Sequence, residues 1–164
     1  MTKAVRLACV GVGSNHNPAL RIPEALARLR ALYGPLAESV IYESAPLHGA
    51  PGPSYRNLVV SFQTVLAWAE LKQALREIED SCGRQRPMAP GGAVALDLDL
   101  LLLIGATGSV EHDLPLERLR RESFVLKPLA ELMPDWRHPE TECSLTELWQ
   151  RVAAEAVALV QVPT

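Results

Sequence analysis

An apolar run over residues 96–104 is interrupted only by Asp97 and Asp99. A run of this length after a glycine-rich segment predicts a buried strand. Side chains alternate between the two faces of a strand, so both aspartates project from one face while the intervening leucines pack on the other. The chain must therefore fold so that two adjacent carboxylates lie beside an apolar layer.

This carboxylate pair needs compensation, because neighbouring negative charges repel each other and lose hydration beside an apolar layer. Mg2+ is a suitable partner, since it takes oxygen ligands and commonly works with phosphates. Arg84 and Arg86, shortly upstream, are candidates for holding those phosphates. The segment thus predicts a nucleotide site. Two alternatives stay open: the aspartates could be bonded to arginines or loop backbone, and the two arginines could simply favour a helix C-terminus.

Composition limits the class of protein. With 164 residues, 48% of them hydrophobic, the chain is expected to form a single domain over residues 1–164. A formal net charge of −3 provides no basic field for nucleic acid. Three widely spaced cysteines fit reduced thiols better than a disulfide framework or a zinc site. Without a signal-type N-terminus or a segment of transmembrane length, a cytoplasmic protein with no membrane partner is expected.

Apolar periodicity and turn signals divide the chain into strands and helices. Strands are predicted at residues 5–12, 40–42, 57–65 and 94–104, and helices at residues 18–33, 68–82, 127–132 and 145–160. Residues 45–54 and 87–92 are rich in Pro and Gly and predict loops. The order strand, helix, strand, strand, helix, strand indicates an α+β fold: a ferredoxin-like α/β/α layer sandwich with a central, mostly antiparallel sheet.

Four histidines show no metal-ligand spacing and are expected to be solvated: His16, His48, His112 and His138.

Six short motifs occur in the order found in one enzyme family. They are Gly13-Ser14-Asn15, Tyr42-Glu43-Ser44-Ala45-Pro46-Leu47, Tyr55-Arg56-Asn57, Ile78-Glu79 with Gly83-Arg84-Gln85-Arg86, Leu96-Asp97-Leu98-Asp99, and Phe124-Val125-Leu126 with Pro128-Leu129. Over residues 5–149 the chain resembles the 6-hydroxymethyl-7,8-dihydropterin pyrophosphokinases, which transfer pyrophosphate from ATP to a pterin alcohol in folate biosynthesis. The resemblance implies a pterin and ATP as small-molecule partners, and we expect a monomer or a weak homo-oligomer.

The resemblance also implies roles for charged residues. Asp97 and Asp99 match the aspartates that hold two Mg2+ ions between the ATP phosphates and the pterin hydroxyl. Such ions neutralise the phosphates and can lower the pKa of the attacking alcohol. Arg84 and Arg86 match cations near the triphosphate, and Arg84 joins the two aspartates as an expected catalytic residue.

Six further residues match the pterin-binding part of the family site. Tyr55 and Phe124 match the aromatics that stack on the pterin ring. Asn57 matches an amide that reads the pterin edge through both its donor and its acceptor. Ser44, Pro46 and Leu47 belong to a segment whose backbone completes the pocket.

The chain departs from the family pattern on the ATP side. An aromatic residue and an arginine before the aspartates are replaced by Gly91 and Val94. A nucleotide-contacting histidine is replaced by Leu116, and an arginine two positions before Phe124 is replaced by Glu122. These changes predict weakened ATP-side catalysis.

Three functional readings follow from the kept and lost residues. The first is a working pyrophosphokinase in which Arg120 or Arg121 compensates for Glu122. The second is a non-catalytic pterin-binding paralogue with a regulatory role or a modified pterin. The third is an interaction domain that has kept only the fold.

Overall fold

An open sheet of seven strands forms the centre of the protein. The structure, a computed structural model, describes residues 3–87 and 92–163. The strands are β1 (Arg6–Ser14), β2 (Ala37–Glu38), β3 (Tyr42–Ser44), β4 (Tyr55–Thr64), β5 (Asp97–Gly105), β6 (Val110–His112) and β7 (Val160–Gln161). The helices are α1 (Pro18–Tyr33), α2 (Trp68–Ser81), α3 (Leu116–Arg121), α4 (Ser123–Leu132) and α5 (Leu145–Val152).

The strand order confirms the predicted α+β fold. The sheet runs β6-β5-β1-β4-β3-β7, with β2 also paired to β4, and each described pairing is antiparallel. Helix α1 lies in the connection from β1 to β3, and β4 lies between these two strands in the sheet. Helix α2 lies in the connection from β4 to β5, and β1 lies between those two strands. This interleaving of two crossover units is the ferredoxin-like arrangement.

Two apolar cores lie on opposite faces of the sheet and create the three layers. The first packs α1 and α2 against the sheet through residues such as Leu29, Leu75 and Phe62. The second packs α3, α4 and α5 against the other face through residues such as Leu119 and Leu126. None of the helices in the described part of the chain is long and apolar enough to cross a membrane.

Strand β5 places the two aspartates as the sequence predicts. The leucines at 96, 98 and 100 all belong to the first core, on the side of α1 and α2. Asp97 and Asp99 lie on the opposite face, toward a cavity lined by residues of α3 and by Phe124 and Val125 of α4. The alternation of side chains between the two faces therefore holds through the start of β5. Beyond the pair of Val10 with Leu100, a bulge shifts the pairing of β5 with β1 by one residue.

The C-terminal third differs from the sequence-based prediction. Helix α4 begins at Ser123 rather than at residue 127, and α5 ends at Val152 rather than at residue 160. Residues 160–161 instead pair with β3 and cover its free edge. The Ser123 hydroxyl donates to the Val157 carbonyl at 2.8 Å, so the tail is held against the start of α4. Backbone pairing at the sheet edge replaces the last turns of the predicted helix.

His138 is buried, so the prediction that it is solvated is wrong. Its side chain is 0% exposed, and Nε2 lies 2.5 Å from the Leu114 carbonyl oxygen. Nδ1 accepts a hydrogen bond from the Glu140 backbone N–H at 3.2 Å. The ring therefore joins two loops inside the second layer, and both of its nitrogens are used in holding them together.

Replacing His138 should destabilise the protein. His138→Ala removes the partners of the Leu114 carbonyl and the Glu140 N–H and leaves a cavity, so we expect the free energy of unfolding to fall by about 2–5 kcal/mol. His16→Ala, at an exposed side chain, is the matched control and should change it by less than about 0.5 kcal/mol. Urea denaturation measures both variants, and equal effects would contradict the structural role of His138.

Candidate active site

The register of three strands builds the floor of the site. Gly13 on β1 pairs with Asn57 on β4 and with Asp97 on β5. Because neighbouring strands lie about 4.8 Å apart, the Asn57 and Asp97 backbones stand roughly 10 Å from each other across Gly13. The Asn57 amide and the Asp97 carboxylate thus lie on either side of Gly13, which has no side chain and forms the floor of the site.

Gly13 provides the room that Asn57 needs. A Cβ at Gly13 would lie 2.7 Å from Asn57 Oδ1, which is closer than real side chains approach. Asn57 is buried, and its Nδ2 lies 3.4 Å from the Ser44 hydroxyl oxygen, to which it donates. The amide is therefore fixed between the floor and β3, with its polar end toward the cavity that it lines.

A cavity of about 310 Å3 opens above this floor. Its lining includes each of the six residues predicted to bind a pterin: Ser44, Pro46, Leu47, Tyr55, Asn57 and Phe124. Asn15 and Asp97 complete its polar part. The volume is at the lower end of the range for small-molecule sites, as expected for a ligand with one fused ring system.

Asp97 lies where this cavity meets two others. A smaller cavity of about 190 Å3 is lined by Asp97 together with Asp99, Arg118 and Glu122. An open groove of about 590 Å3 runs from Asp97 along α2 and contains both predicted nucleotide-binding residues, Arg84 and Arg86. The structure therefore brings the predicted metal-binding, pterin-binding and phosphate-binding residues to one place.

The groove contains two cations that sequence reasoning missed. Lys72 and Arg76 lie one helical turn apart on α2, are exposed, and line the groove together with Trp68. Within residues 3–87 and 92–163 neither makes an ion pair, so their charges remain available to an anion. Their (i, i+4) spacing was visible in the sequence, but helix periodicity alone does not show which polar side faces a site.

Arg84 and Arg86 are held in different ways. Arg84 Nη1 donates to the Leu96 carbonyl at 3.1 Å and lies 3.5 Å from Asp97 Oδ1. Its buried Nε has no partner in the described part of the chain. Arg86 forms ion pairs with Glu79 and Asp80. Arg84 thus neutralises Asp97 directly, whereas Arg86 is largely engaged with α2.

Glu79 was part of a sequence motif but was given no role there, and the structure makes it a component of the site. Its carboxylate is buried and accepts the Leu98 N–H at 2.6 Å, between the two aspartates. Burial raises the pKa of Glu79, while the hydrogen bond from Leu98 opposes that shift. Glu79 therefore anchors the beginning of β5 to α2 and positions both aspartates.

The pKa of Asp97 is shifted both by the surrounding protein and by neighbouring charges. Its side chain remains 55% exposed toward the cavities. The surrounding protein nevertheless raises the pKa of Asp97, an effect that Arg84 opposes and the Asp99 charge reinforces. Burial and the Asp97 charge also raise the pKa of Tyr55, so that phenol stays neutral at physiological pH.

Asp99 is compensated by an arginine that the sequence did not single out. Arg118 Nη2 donates to Asp99, and Arg118 Nε donates to Glu122 Oε2 at 2.9 Å. Arg120 and Arg121, the expected substitutes, are both exposed, and Arg121 only approaches Glu122 at 3.5 Å. An (i, i+4) pair between Arg118 and Glu122 was readable from spacing, but its contact with β5 was not.

The positions at which the resemblance implies other residues have contacts of their own. The Val94 side chain is buried, and its backbone N–H donates to Asn15 Oδ1 at 2.6 Å, which anchors the chain before β5. Leu116 packs against the second core, and Glu122 is bound to Arg118. The prediction at Gly91 lies outside the described residues.

The donor set suits one of the two expected metal positions better than the other. Mg2+ is commonly held by one or two carboxylates together with substrate phosphates. Asp97 fits this role because its carboxylate faces all three cavities. Asp99 fits less well because its carboxylate is bound to Arg118. In the described part of the chain no three acidic, His or Cys side chains form a metal-binding group.

Comparison with known proteins shows which family the chain is similar to. The sequence model of the 7,8-dihydro-6-hydroxymethylpterin-pyrophosphokinase family matches residues 9–134. A 2-amino-4-hydroxy-6-hydroxymethyldihydropteridine pyrophosphokinase from Synechocystis sp. is 35% identical over 158 residues, covering 92% of this chain and 78% of that protein. A protein of the same name from Haemophilus influenzae is 31% identical over 150 residues, covering 89% and 92%.

A longer relative also matches. Folic acid synthesis protein fol1 of Schizosaccharomyces pombe is 30% identical over 158 residues, which are 94% of this chain but only 21% of that protein. The fold and site are those of a small-molecule-binding α+β protein with a cationic groove. The chain belongs to the 7,8-dihydro-6-hydroxymethylpterin-pyrophosphokinase family.

A methyl group on Gly13 should impair ligand binding in the 310 Å3 cavity. Gly13→Ala forces the Asn57 amide out of its position, so we expect 6-hydroxymethylpterin to bind about 10- to 100-fold more weakly. Gly11→Ala is the control on the same strand, since its Cβ would meet Leu101 at an ordinary 3.6 Å. Isothermal titration calorimetry measures both, and equal affinities would show that Asn57 does not read the ligand.

Proposed function

We propose that this chain transfers pyrophosphate from ATP to the hydroxymethyl group of 6-hydroxymethyl-7,8-dihydropterin, a step of folate biosynthesis. The observation that supports this most strongly is the position of Asp97. It lies where a cavity with two aromatics and an amide meets a groove with four cations. A fused aromatic heterocycle suits the first space, and a polyphosphate suits the second.

The pterin ring is proposed to lie between Tyr55 and Phe124, with its polar edge at Asn57. Stacking on two aromatics favours a flat π-system. The amide of Asn57 supplies both a donor and an acceptor, which matches a heterocycle that carries both on one edge. Ser44, Pro46 and Leu47 close the cavity on the side of β3.

The ATP phosphates are proposed to lie in the groove along α2. Arg84 and Arg86 are the binding residues expected from the family pattern, and Lys72 and Arg76 line the same groove as two exposed cations. Trp68 offers an aromatic face at the groove. Lys72 and Arg76 are proposed to supply part of the positive charge that the family pattern places at positions 94 and 122.

The reaction forms a bond between the pterin hydroxyl oxygen and the β-phosphorus of ATP. The bond from that phosphorus to the oxygen bridging it to the α-phosphate breaks, AMP leaves with the electron pair, and the hydroxyl proton is released to solvent. Mg2+ held at Asp97 would neutralise phosphate charge and favour the alkoxide. Arg84 holds the Asp97 carboxylate in place and adds a fixed positive charge near the phosphates.

Catalysis is proposed to be weakened compared with relatives that carry the full set of ATP-side residues. Losing one phosphate-stabilising cation costs on the order of 3 to 5 powers of ten when that cation acts in the transition state. Val94, Leu116 and Glu122 each lack such a group, but losses within one constellation do not add. The groove cations on α2 reduce the deficit.

A second function has a specific observation in its favour. Asp99 is bound to Arg118 and is therefore not free to take a metal ion as it stands. A chain that binds a pterin without transferring pyrophosphate would tolerate this arrangement. The proposed alternative is a non-catalytic, pterin-binding paralogue with a regulatory role or a modified pterin.

The three cysteines bear on the proposed location of the protein. Cys9, Cys82 and Cys143 are free and buried, and burial raises the pKa of Cys9 to about 12. Unreactive thiols of this kind suit a reducing compartment, so we propose the cytoplasm. We also propose a monomer or weak homo-oligomer, with a pterin and ATP as its partners.

Product analysis tests the proposed reaction. Incubation of the purified chain with Mg2+, ATP and 6-hydroxymethyl-7,8-dihydropterin should yield AMP and the pterin diphosphate in equal amounts. Asp97→Asn should lower the rate by about 100-fold or more, because it removes charge from the reacting centre. Asp135→Asn, at an exposed position, is the control and should leave the rate unchanged. Saturable pterin binding without AMP would favour the alternative, and absence of both would overturn each proposal.

The groove residues allow a separate prediction. Arg76→Gln removes a cation from the proposed phosphate wall, so we expect KM for ATP to rise about 3- to 10-fold while pterin affinity is unchanged. Arg151→Gln, at another exposed arginine outside the groove, is the matched control. Steady-state kinetics with each substrate varied provide the measurement. A change in pterin affinity alone would place ATP elsewhere.

A further inference from the structure

Arg118 is the most heavily engaged cation in the site. Its side chain is only 16% exposed and forms ion pairs with three carboxylates, those of Asp99, Asp113 and Glu122. It also donates to the Asp113 carbonyl at 2.8 Å. A surface arginine rarely has so many fixed partners, and the set holds the guanidinium in one orientation.

The guanidinium faces Asp99 and Glu122 with the same edge. Nε and Nη2 lie side by side on one edge of the planar group, and they donate to Glu122 and Asp99 respectively. Nη1, on the far side, is held by Asp113. Two carboxylates from β5 and from the end of α3 therefore meet around a single positive charge, as they would around a bound cation.

The identity of Glu122 explains why Arg118 adopts this position. The family pattern has an arginine where this chain has Glu122, and an arginine there would repel Arg118 one helical turn away. With Glu122 the two residues instead form an attractive (i, i+4) pair. The carboxylate of Glu122 thus directs Arg118 onto Asp99. Although burial disfavours its charge, the hydrogen bonds to Glu122 and Asp99 raise the pKa of Arg118, so the guanidinium remains cationic.

We propose that Arg118 is a tethered cation that fills the second metal position, on Asp99, so that this chain binds one divalent ion, at Asp97, instead of two. The inference rests on the proposed function for the location of the phosphates. It differs from the two-ion expectation because a guanidinium and a divalent ion on one carboxylate repel each other, which weakens the binding of an ion at Asp99. Being covalently attached, Arg118 holds its place at any metal concentration.

The partners of the two aspartates support one ion rather than none. Arg118 donates directly to Asp99, whereas Arg84 lies 3.5 Å from Asp97 and donates to the Leu96 carbonyl instead. A divalent ion at Asp97 would complete the compensation of that carboxylate. The open carboxylate of Asp97 is the place for it, since Arg84 is 3.5 Å away and leaves room on the cavity side.

Counting bound Mn2+ tests the proposal. The free Mn2+ signal in electron paramagnetic resonance is titrated with the full chain, first with the metal alone and then with saturating α,β-methylene-ATP. Arg118→Met should bind one more ion per chain than the unmodified protein. Arg120→Met, at an exposed arginine on the same helix, is the control and should match the unmodified protein. Equal counts for Arg118→Met and the unmodified chain, or two ions already bound by the unmodified chain, would overturn the proposal.

Two further variants test the proposal independently if the Arg118→Met protein does not fold. Arg118→Lys keeps a tethered positive charge and should keep the lower count. Glu122→Gln removes the charge that directs Arg118, and we expect Mn2+ to bind at least about 3-fold more tightly. An unchanged affinity in Glu122→Gln would contradict the role given to that residue. Since the titration with metal alone requires neither turnover nor ATP, its result is independent of whether AMP is formed.

Discussion

Neutralisation of the Asp97–Asp99 pair is the constraint on which the rest of the site depends. Their strand is fixed on one face by leucines of the first core, so neither carboxylate can turn away from its neighbour. Two arginines approach them from different elements, Arg84 from the segment after α2 and Arg118 from α3. The site is thus formed where two layers of the sandwich each supply one cation to the same strand.

Sheet register converts this charged strand into a binding site. Strand β1 lies between β4 and β5, and its glycines leave an open floor between Asn57 on one side and the aspartates on the other. Any side chain at Gly13 would meet Asn57. Close packing of the sheet therefore leaves room for a ligand only because β1 has glycine at the positions between the two functional strands.

Local sequence patterns located most elements of the first two thirds, although β2 was not predicted and β3 begins two residues later than expected. The residues that line the 310 Å3 cavity were predicted from the family resemblance and not from periodicity. Alternation placed the aspartates of β5, and helix periodicity placed α1 and α2 within one or two residues. The end of α5 and the burial of His138 were mispredicted because both depend on contacts between distant segments. The roles of Arg118, Glu79, Lys72 and Arg76 were missed for the same reason, since only the packing of α2 and α3 against β5 shows where they point.

Positive charge reaches the site from two sides of β5, and carboxylates hold much of it in place. On one side Glu122 pairs with Arg118, which contacts Asp99. On the side of α2, Arg86 is paired with Glu79 and Asp80, while Lys72 and Arg76 are exposed along the same groove. A polyphosphate would then be held mainly from the α2 side, and Asp97 would be the carboxylate left open between it and the cavity with Tyr55 and Phe124.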